Sequence, residues 1–84
     1  MELLLRKKQA AVFLFLKSHE EPVYLTQIAR ETKTTYVYIT NFISFLADKG
    51  IVSIAPRSKK KLVRLTEKGR EISVRIEALR EALE

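Results

Sequence analysis

Between Pro56 and Leu65 the chain carries Arg57, Ser58, Lys59, Lys60, Lys61 and Arg64, five cationic side chains with no carboxylate among them. Ammonium and guanidinium groups at this density neutralise the phosphates of a polyanion, which supplies affinity with little sequence information. The same cluster also fits a solubilising turn whose charged edges resist strand pairing. A second group, Tyr36, Val37, Thr40, Asn41 and Ser44, offers neutral chemistry: a planar amide, three hydroxyls and a small apolar surface. Spacings of three and four residues place such a set on one face of a helix. Ile39, Phe42, Ile43 and Leu46 fall on the other face.

Other chemistries lack their residues. There is no Cys, so a disulfide framework and thiolate metal sites are excluded, and the single His19 cannot build a multi-histidine centre. His19, next to Glu20, reads as a loop residue. The carboxylates are scattered or belong to helix charge patterns, with no Ser, His and Asp set and no glycine-rich phosphate loop. We therefore expect neither an enzyme nor a bound metal or cofactor.

The chain's net charge of +6 is unevenly spread. Residues 1 to 65 hold twelve basic and five acidic side chains, a balance of +7, whereas residues 66 to 84 hold four and five, a balance of −1. A basic body with a near-neutral tail suggests a polyanion partner for the first part and a different task for the second. A Lys-rich solvated surface is the alternative. The longest apolar run, Ala10 to Leu16, is too short to span a bilayer, and the cluster Arg6, Lys7 and Lys8 follows Leu3, Leu4 and Leu5, unlike a signal peptide. A cytoplasmic protein without a membrane partner is expected.

The elements that must position these groups follow from periodicity. Glu2 to about Lys17 reads as a first helix, with Leu4, Ala11, Leu14 and Phe15 at helical spacing and Val12, Phe13 and Leu16 adding a second apolar stripe. Ser18 to Pro22 form a polar break, Val23 and Tyr24 suit a short extended piece, and Thr26 can cap a helix running to about Thr32 with Ile28 and Ala29 inward. The next helix spans about Tyr36 to Lys49, capped by Thr35 and ended by Gly50. Only a few residues separate these two helices, as in a helix-turn-helix. Ile51 to Ala55 and Lys61 to Leu65 then read as two strands around the basic loop, and Thr66 opens a final helix that carries Gly69 near its start and runs to about Leu83.

The stretch from Ile28 through Thr35 and Ile43 to Leu46, followed by Gly50-Ile51-Val52, resembles the helix-turn-helix core of MarR-like winged-helix regulators, and no gap is needed to superpose the two. Leu65-Thr66-Glu67-Lys68-Gly69 is similar to the "LTxKG" that follows the wing in that family. Ala29 matches the small residue where the two helices approach, and Thr35 the cap of the recognition helix. Three residues depart from the pattern: Thr32 and Thr34 stand where the family has apolar residues, and Lys33 where it has Gly. Either Lys33 adopts a left-handed backbone at a cost of about 1 kcal/mol, or the turn differs.

The resemblance implies a mainly α fold with a small β-hairpin, in the order α-α-α-β-β-α, as a single winged helix-turn-helix domain. Its parts would be helix 1 (1–18), the helix-turn-helix (25–50), the wing (51–65) and a C-terminal dimerisation helix (66–84). It also implies a double-stranded DNA-binding transcriptional regulator, a repressor, acting as a homodimer. An α-helix fits the major groove, so Asn41 would pair with adenine, Thr40 and Ser44 with bases or phosphates, Val37 with a thymine methyl, and Tyr36 with a phosphate. Tyr38 is weighed as a packing residue. The wing would sit on phosphates or insert Arg57 into a minor groove, with Lys33 adding a backbone contact. In the last helix Ile72, Ile76, Leu79 and Leu83 recur at spacings of four, three and four. With Leu4, Val12 and Phe15 of the first helix they form the expected dimer interface, because so small a domain covers two apolar helices poorly. Packing of the last helix on its own first helix is the alternative. At the level of function the rivals are a winged-helix protein-interaction module and a non-specific architectural DNA-binding protein.

Overall fold

The computed structural model describes residues 7–57 and 59–83, with the backbone alone for Arg57. Leu4 and Ser58, and the side chain of Arg57, lie outside the described residues. Helix α1 (Lys7–Lys17) leads into strand β1 (Val23–Tyr24), helices α2 (Leu25–Thr32) and α3 (Tyr36–Asp48), strands β2 (Val52–Arg57) and β3 (Lys60–Leu65), and helix α4 (Glu67–Leu83). The architecture is a winged helix-turn-helix, helical in the main, with one small sheet.

That sheet has three strands rather than the hairpin alone. Its order is β1-β3-β2, antiparallel throughout, with Val23 opposite Val63 and Tyr24 opposite Leu62. The extended Val23-Tyr24 piece thus finds its ladder partner in the distant wing strand. The hairpin itself is longer than periodicity suggested, reaching Pro56 opposite Lys61 and Arg57 opposite Lys60. Pro56 is tolerated because β2 is an edge strand, where the missing N–H costs no ladder bond.

The core forms where the sheet and all four helices converge. Val12 and Leu16 of α1, Ile28 of α2, Ile39 and Ile43 of α3, Val63 of β3 and Ile76 of α4 are buried together. Ile39, Ile43 and Leu46 recur along α3 at helical spacing, so burying them fixes which face of that helix looks outward. Helix α1 is covered more fully by its own chain than its two apolar stripes suggested: Ala10, Val12, Phe13 and Leu16 are all buried. The ring of Phe13 meets that of Phe42 edge-on at 6.2 Å, and Phe42 stacks on Tyr38 at 5.8 Å, so Tyr38 has a packing role.

Both helices of the helix-turn-helix end in the same hydrogen-bond motif, in which a residue with positive φ lets the chain fold back on the last carbonyls. At the end of α3 that residue is Gly50 (φ 75), with Gly50 N–H donating to Ala47 O (3.0 Å) and Ile51 N–H to Leu46 O (2.9 Å). At the end of α2 it is Lys33 (φ 57), with Lys33 N–H donating to Arg30 O (3.3 Å) and Thr34 N–H to Ala29 O (2.9 Å). The turn keeps its shape without glycine. The two threonines flanking Lys33 satisfy each other there, since Thr32 Oγ1 donates to Ile28 O (2.7 Å) and lies 2.9 Å from Thr34 Oγ1.

Candidate nucleic-acid interface

Thr35 starts α3. Its backbone is extended (φ −89, ψ 156) and its hydroxyl accepts from Tyr38 N–H at 3.0 Å, which satisfies one of the free donors of the first turn. From that start the helical period carries Tyr36, Val37, Asn41 and Ser44 outward, all exposed, with Val37 open to 69%. Thr40 is half-buried, its hydroxyl donating to Tyr36 O at 2.8 Å while its oxygen remains able to accept. Together these side chains form a polar strip with a methyl-bearing end on the outer face of α3, and an α-helix is of a size that a DNA major groove admits.

Phe45 was not among the residues expected on this face. It is 51% exposed and lies four residues on from Asn41, with Lys49 Nζ 5.5 Å from its ring centroid. Counting 100° per residue places Phe45 on the flank beside Asn41 rather than inward, and the apolar type of the residue disguised that position.

The wing stands beside the first turn of α3. Lys59, Lys60, Lys61 and Arg64 are all exposed on it. A cleft between the two elements is lined by Tyr24, Leu25, Thr26, Tyr36 and Lys59 to Lys61. The structure therefore brings Tyr36 of the helix and three wing lysines to one place. Lys33 is exposed at the turn between α2 and α3.

Thr26 is not the cap of α2. Tyr24 occupies that position (φ −81, ψ 151), with no side-chain bond to the helix end, and the helix begins at Leu25 because Leu25 is buried in the core. That two-residue difference leaves the Thr26 side chain exposed beside the wing.

The LTxKG segment closes the wing onto the helix-turn-helix. Leu65 is buried; Thr66 N–H and Oγ1 both bond Ile51 O (3.0 Å each), Oγ1 also reaches Gly50 O (2.6 Å), and it accepts from Gly69 N–H (3.1 Å). Lys68 Nζ donates to Lys49 O at 2.9 Å, meeting a terminal carbonyl of α3. Gly69 is required by closeness alone: a Cβ there would lie 2.1 Å from Ile51 O.

The expected dimer residues separate. Val12 and Ile76 are 0% and 2% exposed within the single chain and have no surface for a partner, which corrects their assignment. Physically, α4 turns the first part of its seam onto α1 of its own chain, where Lys17 Nζ also meets Glu77 Oε1 at 2.5 Å. Phe15 and Ile72 are half-buried against the core, Leu79 is half-buried, and Leu83 is 66% exposed. His19 lies after α1 with Nδ1 2.8 Å from Phe15 O, in a local loop contact. Among the described residues no three of His, Cys, Asp and Glu group to hold a metal ion, and no helix is long and apolar enough to cross a membrane.

The family model described as winged helix-turn-helix matches residues 6–84, and the chain belongs to that family. Among solved structures, a protein of Archaeoglobus fulgidus superposes with a TM-score of 0.88 at 22% identity, covering 99% of this chain and 94% of that one. A MarR family transcriptional regulator from Rhodococcus sp. RHA1 superposes at 0.82 with 21% identity, covering 89% and 54%. MepR, a transcription regulator of the Staphylococcus aureus multidrug efflux pump MepA, superposes at 0.81 with 17% identity, covering 90% and 58%. The chain thus spans nearly all of the archaeal protein but little more than half of those two regulators. No curated protein matches it in sequence. The fold is MarR-like, as the residue pattern implied.

Proposed function

We propose that this protein is a double-stranded DNA-binding transcriptional regulator, acting as a homodimer and repressing where it occupies DNA. Helix α3 enters the major groove with Val37, Thr40, Asn41 and Ser44 toward base edges, while Lys59, Lys60, Lys61 and Arg64 meet phosphates. Arg57 and Ser58 are assigned contacts with the same backbone or with a minor groove, and Lys33 adds a backbone contact from the turn. The observation that carries this reading is the shared cleft of Tyr36, at the start of α3, and the wing lysines. A groove-sized polar helix face and a cationic hairpin side by side match a duplex, which offers base edges and phosphates next to each other.

A protein-interaction module would have no use for that pairing of charge and polar face. The test separates base reading from phosphate binding. A duplex is selected from a random pool with the intact chain, and Asn41→Ala is compared with the parent on that duplex and on single-base variants of it. Asn41→Ala is expected to lose about 1–3 kcal/mol on the selected site and to stop discriminating at one adenine position. Equal affinity of the parent for selected and random duplexes would leave only an architectural role.

A further inference from the structure

The cleft between wing and helices has features that a merely cationic surface would lack. Its volume is about 110 Å³, and it is lined by Lys59 to Lys61 together with Tyr24, Leu25, Thr26 and Tyr36, with no carboxylate. Lys60 is held in place: the register Tyr24 opposite Leu62 puts Tyr24 on the same sheet face as Lys60, two residues along β3, and Lys60 Nζ sits 5.1 Å from the Tyr24 ring centroid. An ammonium resting on a ring keeps N–H donors for an anion on its other side. The cleft also opens at the first residues of α2, an end with no side-chain cap and no acidic residue in its first turn. The first N–H groups of a helix have no partner within it and carry partial positive charge. A cation resting on a ring, hydroxyl donors and uncapped amides all favour the same ligand, a tetrahedral oxyanion.

We propose that this cleft seats one phosphate group, which in the complex is a phosphate of the DNA backbone passing between wing and α3. The inference rests on the DNA-binding reading and adds two residues to it. Thr26 donates its hydroxyl to the phosphate, and Tyr24 is a positioning residue that acts through Lys60. One phosphate held at a defined point fixes the register of α3 in the groove, which scattered surface lysines do not do.

The test is a double-mutant cycle of Thr26→Val and Lys60→Gln, read as affinity of the full chain for the selected duplex at constant salt, with thermal unfolding of each variant to establish that it is folded. Each single variant is expected to bind about tenfold more weakly, and the double variant hardly more weakly than Lys60→Gln alone, because both side chains hold one group. Tyr24→Phe, which keeps the ring under Lys60, should bind like the parent, whereas Tyr24→Leu should weaken binding as Lys60→Gln does. Additive losses, or parental affinity for Thr26→Val, would overturn the seat while leaving DNA binding intact. A parent that binds no duplex would overturn the DNA reading and the backbone occupant with it. Inorganic phosphate at fixed ionic strength, shifting the Thr26 amide resonance in the parent but not in Lys60→Gln, would then reassign the cleft to a free phosphate.

Discussion

Lys33 holds the one positive φ found outside glycine among the described residues, and the cost of that conformation sets up a division between stability and binding. Left-handed backbone is unfavourable for a residue with a Cβ by roughly 1–2 kcal/mol, part of which glycine gives back through its freer unfolded chain. Lys33→Gly should therefore raise stability by about 1 kcal/mol, seen as a Tm about 4–8 °C higher for a domain of this size. The same change removes an exposed cation from the helix-turn-helix and should weaken DNA binding. A rise in Tm with a fall in affinity would show that lysine is kept here for its charge. The residues flanking it show what was legible in the chain: the departure at Lys33 marked a strained position, whereas nothing in residue type indicated that Thr32 and Thr34 would bond one another across the turn.

At the scale of elements, the joint between α3, the wing and α4 depends on Gly69, where α4 crosses the Ile51 carbonyl too closely for a side chain. Gly69→Ala should destabilise the fold by about 1–3 kcal/mol, measured by denaturant unfolding, even though alanine is the better helix former. A gain in stability would mean that the joint yields easily. Element boundaries were largely legible, because caps and periods are local: Thr35, Gly50 and Thr66 stand where their chemistry indicated. Other features were not, among them the cap of α2, which is Tyr24 and not Thr26. Strand β1 is two residues long and carries no period, and its partner lies far along the chain. The seam of α4 repeats correctly, but a repeat says that a face is covered without saying by what, so Ile76 was expected at a partner and is buried at home.

At the scale of the whole molecule, α4 leaves apolar surface open at Val74, 52% exposed, and again toward its end at Leu79 and Leu83, after Ile76 has entered the core. If a second copy covers Leu79 and Leu83 together with Phe15 and Ile72, Leu79→Glu with Leu83→Glu should yield a folded monomer by analytical ultracentrifugation and weaken binding to a two-half-site duplex more than to one half-site. Half-sites about 34–36 Å apart, one turn of DNA, are what two recognition helices related by a twofold would read. A double variant that remained dimeric would move the interface elsewhere.

The central claim is that the wing engages phosphates while α3 reads bases, and it is tested most directly by affinity for a selected duplex as a function of salt, for the parent and for a variant with Lys59, Lys60 and Lys61 all changed to Ala. The account predicts a steep fall with salt in the parent, and in the variant a slope shallower by about 0.9 for each phosphate left without its lysine, with the preference for the selected site over random DNA largely retained. Equal slopes and equal affinities for the two proteins would contradict it.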